Sequence, residues 1–183
     1  MEVLRNTYAS SSLSFLYSFS DSTEESLPYH IDLYKKAPQS ISKLESAILF
    51  IQQALNKEKP PVLIDDCTGG TYMLFNIYDS VEAIFKPFDE EPFCLHNPKG
   101  ITPDQFQQID RDITPGSSCY REVAAYFLDH HHFAGVPETS LASLIIHQDN
   151  SFDIHYKEGS IQLYIPHECS SEDYGPSLFS LPV

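Results

Sequence analysis

Three short apolar runs follow one another between residues 62 and 86, and the polar turns between them are so tight that the chain must double back on itself. Val62, Leu63 and Ile64 lead into Asp65-Asp66-Cys67-Thr68-Gly69-Gly70-Thr71, and then into Tyr72-Met73-Leu74-Phe75-Asn76-Ile77-Tyr78. Two runs joined through a Gly-Gly turn read as a β-hairpin. Asp79-Ser80 makes a second turn, and Val81 to Lys86 return along the sheet. The third run has a distinctive end. Ala83, Ile84 and Phe85 are apolar, Lys86 closes them, Pro87 stops regular pairing, and Asp89, Glu90 and Glu91 come before Pro92. A lysine ending a buried strand must set its ammonium beside an anion, because a charge leaving water needs a partner. Asp89 or Glu90 supplies one such anion, with the lysine stem snorkelling outward. A bound phosphate is the other.

The glycine turn favours the phosphate. A Thr-Gly-Gly-Thr bend can lay backbone N–H groups and hydroxyls against a phosphate, and glycines without Cβ atoms permit the close approach. In a twisted antiparallel sheet the turn and Lys86 can face one cleft. Kinases hold ATP with such a pair, a glycine-rich turn over the phosphates and a strand lysine upon them.

Two helices complete the pattern. Ile41, Leu44, Ile48, Ile51 and Leu55 recur at three- and four-residue steps and predict an amphipathic helix over 41–56, built for core packing. Ser42 with Glu45 fits a capping box, and Pro60-Pro61 ends the segment. A second helix is expected over 118–132, capped by Ser117 or Ser118, with Tyr120, Val123, Ala124, Phe127 and Leu128 as its apolar face. Glu122 lies beside that face and needs a cation, for which Lys86 is the candidate; a solvated glutamate paired with Arg121 is the plain alternative. His130-His131-His132 is read as the helix end, since adjacent helical side chains point apart and make a poor metal site. Strands are expected at 140–146, 152–157 and 159–166, the last ended by Pro166. Leu13 to Phe19 read as a short strand or an interfacial segment, residues 1–39 otherwise carry little regular signal, and 92–118 are loop-rich. A short helix is expected to begin at Thr102-Pro103.

Composition narrows the function classes. The 183 residues carry a formal net charge of -15, so the chain repels a phosphate backbone and nucleic acid is not an expected partner. No basic patch offers itself to an anionic membrane. Cys67, Cys94, Cys119 and Cys169 form no CxxC pair, so zinc is not expected. With no signal peptide in view, a reducing, cytoplasmic setting is the expectation, with membrane contact peripheral at most.

The motifs, taken in order, resemble one family. Thr68-Gly69-Gly70-Thr71-Tyr72, Ala83-Ile84-Phe85-Lys86-Pro87 with Asp89-Glu90-Glu91-Pro92, Asn97-Pro98-Lys99-Gly100, Arg121-Glu122-Val123-Ala124-Ala125-Tyr126 and Phe133-Ala134-Gly135-Val136-Pro137 are similar to the phosphatidylinositol 3-/4-kinase superfamily, in its type II 4-kinase branch and most of all the plant-type gamma kinases. The resemblance covers roughly residues 62–183. It implies that the turn holding Asp66, Thr68, Gly69, Gly70 and Thr71 covers the ATP phosphates. It implies that Lys86 contacts the α-phosphate side and pairs with Glu122. Gln162, Leu163, Tyr164 and Ile165 would face the adenine, and Glu90, Glu91 and Pro92 would shape the substrate side of the cleft.

The expected fold is therefore α+β. It is a kinase-like N-lobe with a twisted, mainly antiparallel sheet of about five strands, one packed helix and an N-terminal helical extension. Residues 1–58 are expected to form the extension and 59–183 the lobe through its hinge. The family's catalytic loop and metal-binding aspartate lie beyond that hinge, so the C-lobe is expected to be absent and no catalytic residue is assigned here. The function implied is the ATP-binding lobe of a phosphatidylinositol 4-kinase-like enzyme. The complete enzyme would transfer phosphate to an inositol lipid or to protein Ser/Thr, with Mg2+ needed only there. The alternative is a non-catalytic pseudokinase fragment acting as a protein-interaction module. An exposed lobe interface would leave a face open to self-association or to a partner.

Overall fold

Both hairpins form. In the computed structural model, which describes residues 29–34, 40–104, 114–147 and 154–168, Val62–Leu63 (β2) pairs with Tyr72–Phe75 (β3), and β3 pairs with Val81–Pro87 (β4). Thr139–His147 (β5) and Ile154–Leu163 (β6) complete this part, with β6 seated beside β4. With Tyr29–Leu33 as β1, every pairing among the described residues is antiparallel, and the strand order is β1-β5-β6-β4-β3-β2. The described residues thus form an α+β fold, with a six-stranded sheet and two α-helices. The readings for 13–19, for Cys169, for the start of the strand expected at 152–157 and for most of the short helix after Thr102 lie outside the described residues.

The sixth strand is a correction. Tyr29–Leu33 (β1) adds to β5 with Ile31 opposite Leu144 and Leu33 opposite Ala142. Its partner lies over a hundred residues downstream, so no neighbouring turn marks it in the sequence. β6 is a second correction. Two strands were expected, at 152–157 and 159–166, but one ten-residue strand runs straight through the expected break at Glu158 and on through Gly159. Gly159 lies between Ala142 on β5 and Pro87 on β4. A Cβ there would overlap the Lys86 carbonyl oxygen and sit 2.8 Å from the Pro87 Cα. Its role is close approach between strands, not a turn.

Helix α1 (Ser42–Leu55) presents the expected face. Leu44, Ile48, Ile51 and Leu55 join Ala83, Phe85, Leu74 and Ile161 in one core. Leu44, Ile51 and Leu55 are 2 % exposed or less, and each contributes about 1.5–3 kcal/mol by leaving water. The start of the helix differs from expectation. Ser42 is already helical, so it cannot cap; the Glu138 carboxylate reaches in from before β5 and accepts the Leu44 N–H at 2.8 Å. A distant anion does the work of a local hydroxyl, in the place the helix dipole favours.

Helix α2 (Ser118–Leu128) is turned relative to its expected face. Cys119, Val123 and Tyr126 are buried, whereas Tyr120 and Leu128 are exposed. This rotation points Glu122 at the sheet. The helix is also shorter than expected. Asp129 ends it, and His130–His132 form a 3-10 turn with His131 and His132 in the left-handed region. The Asp129 carboxylate draws the chain back by accepting the N–H groups of Ala134 (2.7 Å) and Val136 (2.9 Å). The Ala134 N–H, helped by that of Val136 and by His132, holds the Asp129 carboxyl below its usual range despite the opposing effect of burial. A carboxyl depressed on folding stabilises the fold above its unfolded value and loses that contribution as pH falls through the folded one. Asp129→Asn is therefore expected to lower Tm at pH 7, with the gap to wild type closing below about pH 4. Melts across that range check it, and a gap independent of pH would contradict it.

Candidate functional site

Strand β4 sorts its residues by parity. Ala83, Phe85 and Pro87 are buried, while Glu82, Ile84 and Lys86 turn to the other face. On that face Lys86 stands opposite Ser160 of β6, as Phe85 stands opposite Ile161 on the buried one. Glu122 of α2 comes down over this pair. Its Oε1 accepts the Lys86 ammonium at 2.5 Å, and its Oε2 accepts the Ser160 hydroxyl at 2.6 Å. Both carboxylate oxygens are engaged, so the carboxylate plane is fixed and the lysine is held out along it. The pair is partly open, with side-chain exposures of 37 % for Lys86 and 25 % for Glu122. An ammonium so placed can still meet an anion from solvent. The alternative pairing of Glu122 with Arg121 is not found; Arg121 donates instead to the hydroxyls of Ser117 and Ser118. Those bonds, with Ser117 also donating to the Thr114 carbonyl, take both serines away from the cap expected of them.

The glycine turn joins β2 to β3 at the same end of the sheet, since Tyr72 pairs with Phe85, the residue before Lys86. Its immediate neighbours are Glu90, Glu91 and Pro92. The Gly70 N–H donates to the Glu90 carbonyl at 2.9 Å, and the Ile64 N–H closes the turn onto Thr71. The Asn97 amide spans Thr68 O (3.0 Å) and Glu90 O (3.1 Å). A Cβ on Gly70 would overlap the Glu90 carboxylate, and one on Gly69 would come within 3.3 Å of Glu90 O and of Pro92. The glycines are thus required by crowding against this segment. Asp66 and Thr68 are exposed at the tip, and Thr71 is buried at the base.

The acidic residues after β4 are structural in their contacts. Glu91 is 7 % exposed, and its carboxylate accepts the Cys119 N–H at 3.1 Å, capping α2. Burial, reinforced by the Glu91 charge, pushes the Cys119 thiol up to about 11, which leaves it a poor nucleophile at neutral pH. Glu90 accepts the Tyr72 hydroxyl at 2.7 Å and lies 3.0 Å from the Lys157 ammonium.

At the far end of β6, Gln162 donates to the Thr139 hydroxyl. Leu163 and Tyr164 spend their N–H groups on the carbonyls of Glu138 and Glu82. Those two backbone donors are therefore taken, and Ile165, where the chain leaves the sheet, is half exposed. Lys157, Ser160 and Glu138 were not singled out in the sequence, and Asn97 appeared there in a family motif without a role. Ser160 was within reach of strand parity opposite Lys86; the others act through loops or across long separations that leave no local signal. Among the described residues no group of three or more His, Cys, Asp or Glu side chains is placed to hold a metal ion. No described helix is long and apolar enough to cross a membrane.

No protein-family model matches the chain. Individual relatives do. It is 33 % identical over 184 residues to phosphatidylinositol 4-kinase gamma 5 of Arabidopsis thaliana, an alignment covering 87 % of this chain and 29 % of that one. The gamma 8 protein of the same plant is 32 % identical over 78 % of this chain and 28 % of its own. The gamma 4 protein of Oryza sativa subsp. japonica is 35 % identical over 65 % and 22 %. The chain is related to the phosphatidylinositol 4-kinase gamma proteins. It spans less than a third of the length of those gamma kinases.

Proposed function

We propose that these residues form the ATP-binding lobe of a phosphatidylinositol 4-kinase-like enzyme. The Lys86–Glu122 pair carries the reading. In protein kinases a lysine on the third strand is held by a glutamate from the helix that follows, beneath a glycine-rich turn. Setting aside the added strand β1, Lys86 lies on the third of five strands, β2 to β6, and α2 enters between the third and fourth. The diglycine turn joins the first two of these strands, as such a turn must if it is to cover phosphates.

The chemistry assigned to this chain is binding and orientation. Lys86 would neutralise charge on the α-phosphate side, and Glu122 with Ser160 would keep the ammonium extended before nucleotide arrives, so little ordering is left for binding. The segment leaving β6 near Ile165 would receive the adenine. Phosphoryl transfer to an inositol lipid or to protein Ser/Thr belongs to the complete enzyme, as does any Mg2+.

The test is ATP added to the folded chain. At about a hundredfold excess over Kd, binding stabilises by roughly 2.7 kcal/mol. For a chain of this size that raises Tm by roughly 5–10 °C. No rise at millimolar ATP would refute the reading.

A further inference from the structure

We infer that Lys157 positions the glycine turn, acting at a distance through the carboxylate of Glu90. Lys157 stands on β6, outside the turn and without contact to Lys86 or Glu122. Its ammonium meets Asp89 at 2.7 Å and Glu90 at 3.0 Å, holding the 3-10 turn Phe88–Glu90 against the strand. Glu90 then holds the glycine turn in two ways. Its carbonyl accepts the Gly70 N–H and, with Thr68 O, the Asn97 amide. Its carboxylate lies against Gly70 and accepts the Tyr72 hydroxyl just past the turn.

Charge makes Lys157 the necessary member. Glu90 is 6 % exposed as a residue, and Asp89 beside it has one buried oxygen with no partner. Two neighbouring carboxylates out of water repel each other unless a cation lies between them. His96 touches the same Asp89 oxygen as Lys157, Oδ2, at 3.0 Å, but it is itself exposed, and it is Lys157 that reaches Glu90 as well. Burial pulls the Lys157 ammonium down, but its bonds to Asp89 and Glu90 outweigh this and hold it above its ordinary value. Burial and the Glu90 contact likewise push Tyr72 up, so its hydroxyl stays a donor. Without the cation, Glu90 has reason to swing toward water, and the turn loses the group it rests on.

Only the affinity arm of the test depends on the nucleotide-binding reading. In the nucleotide-free chain, amide exchange is followed at residues 68–72 and, as a reference, in β5. Lys157→Met is expected to speed exchange at Gly70 at least tenfold and leave β5 unchanged. Adding Glu90→Gln, which keeps the acceptor for Tyr72 and removes the stranded charge, should bring Gly70 back to within threefold of wild type. Unchanged exchange in Lys157→Met, or no recovery in the double variant, overturns the inference. Should Lys157→Met speed every amide, Tyr72→Phe decides instead. It removes only a hydroxyl on Glu90, and it must speed residues 68–72 at least threefold or the inference fails. Where wild type binds ATP, Lys157→Met should weaken it at least fivefold, with the double variant recovering; weakened exchange protection without weakened binding would overturn the link to the nucleotide. Absence of ATP binding by wild type would refute the proposed function and leave the exchange result standing.

Discussion

Gly159→Ala is expected to destabilise the fold severely. The added methyl would land on the Lys86 carbonyl oxygen, with the Lys86 carbonyl carbon 2.7 Å and the Pro87 Cα 2.8 Å away. All are backbone atoms of a paired strand, so no side-chain rotation relieves the overlap. β4 and β6 would have to part along the line from Ala83 to Pro87, where Phe85 and Ile161 close the core. Overpacking a well-filled interior costs about 1–3 kcal/mol even where side chains can yield. Here at least the upper value applies, against a total stability of about 5–15 kcal/mol for an ordinary domain. The expected readout is a Tm lowered by roughly 10 °C or the loss of a cooperative transition. A melt within about 2 °C of wild type would mean that β4 and β6 do not meet as described, for a shift that small is under about 1 kcal/mol.

Lys86→Met should weaken ATP binding by one to two orders of magnitude while leaving the chain folded. Methionine keeps most of the stem and deletes the charge. Because the lysine side chain is 37 % exposed, its pair with Glu122 is screened, and folding should lose only about 1 kcal/mol. Nucleotide loses a charge-assisted contact worth about 1.5–3 kcal/mol, a weakening of roughly 10- to 150-fold. At a hundredfold excess over the wild-type Kd the ATP-induced stabilisation should then fall from about 2.7 to roughly 0.3–1.4 kcal/mol, and the rise in Tm should shrink in proportion. Glu122→Gln is the graded companion. It retains an oxygen for Lys86 or Ser160 but lets the ammonium wander, so binding should weaken by less than in Lys86→Met. An undiminished ATP shift in Lys86→Met would make the lysine a structural residue. Equal losses in the two variants would assign the glutamate a direct part in binding.

The parts of the fold legible in the sequence were those set by neighbours. The α1 face repeats every three or four residues, and the two hairpins are marked by their own turns. The pairing of Lys86 with Glu122 was legible because each needed an opposite charge and each sat near a buried edge. What escaped depends on chain segments that meet only after folding. The serines near the starts of α1 and α2 suggested local caps, but Glu138 and Glu91 arrive from other elements to take those sites. The face of α2 was misjudged because Tyr120 and Leu128 are apolar, whereas the demand of Glu122 for Lys86 and Ser160 set the rotation. The break expected at Glu158 is absent because β6 pairs with β5 on one side and β4 on the other, and pairing to distant strands leaves no local signal. Glu90 and Glu91 followed the lysine strand and suggested a ligand-facing role, while their carboxylates turned out to serve the chain itself.

Strand β1 also bears on the solubility of any shortened version of this chain. It covers the margin of β5 from Ala142 to Ile146, a stretch whose unpaired peptide groups would otherwise offer a template to another molecule. A fragment beginning at Ser40 would keep both helices, the diglycine bend and the ammonium–carboxylate contact, yet expose that template. Aggregation by strand addition would then be mistaken for a failure of the nucleotide site.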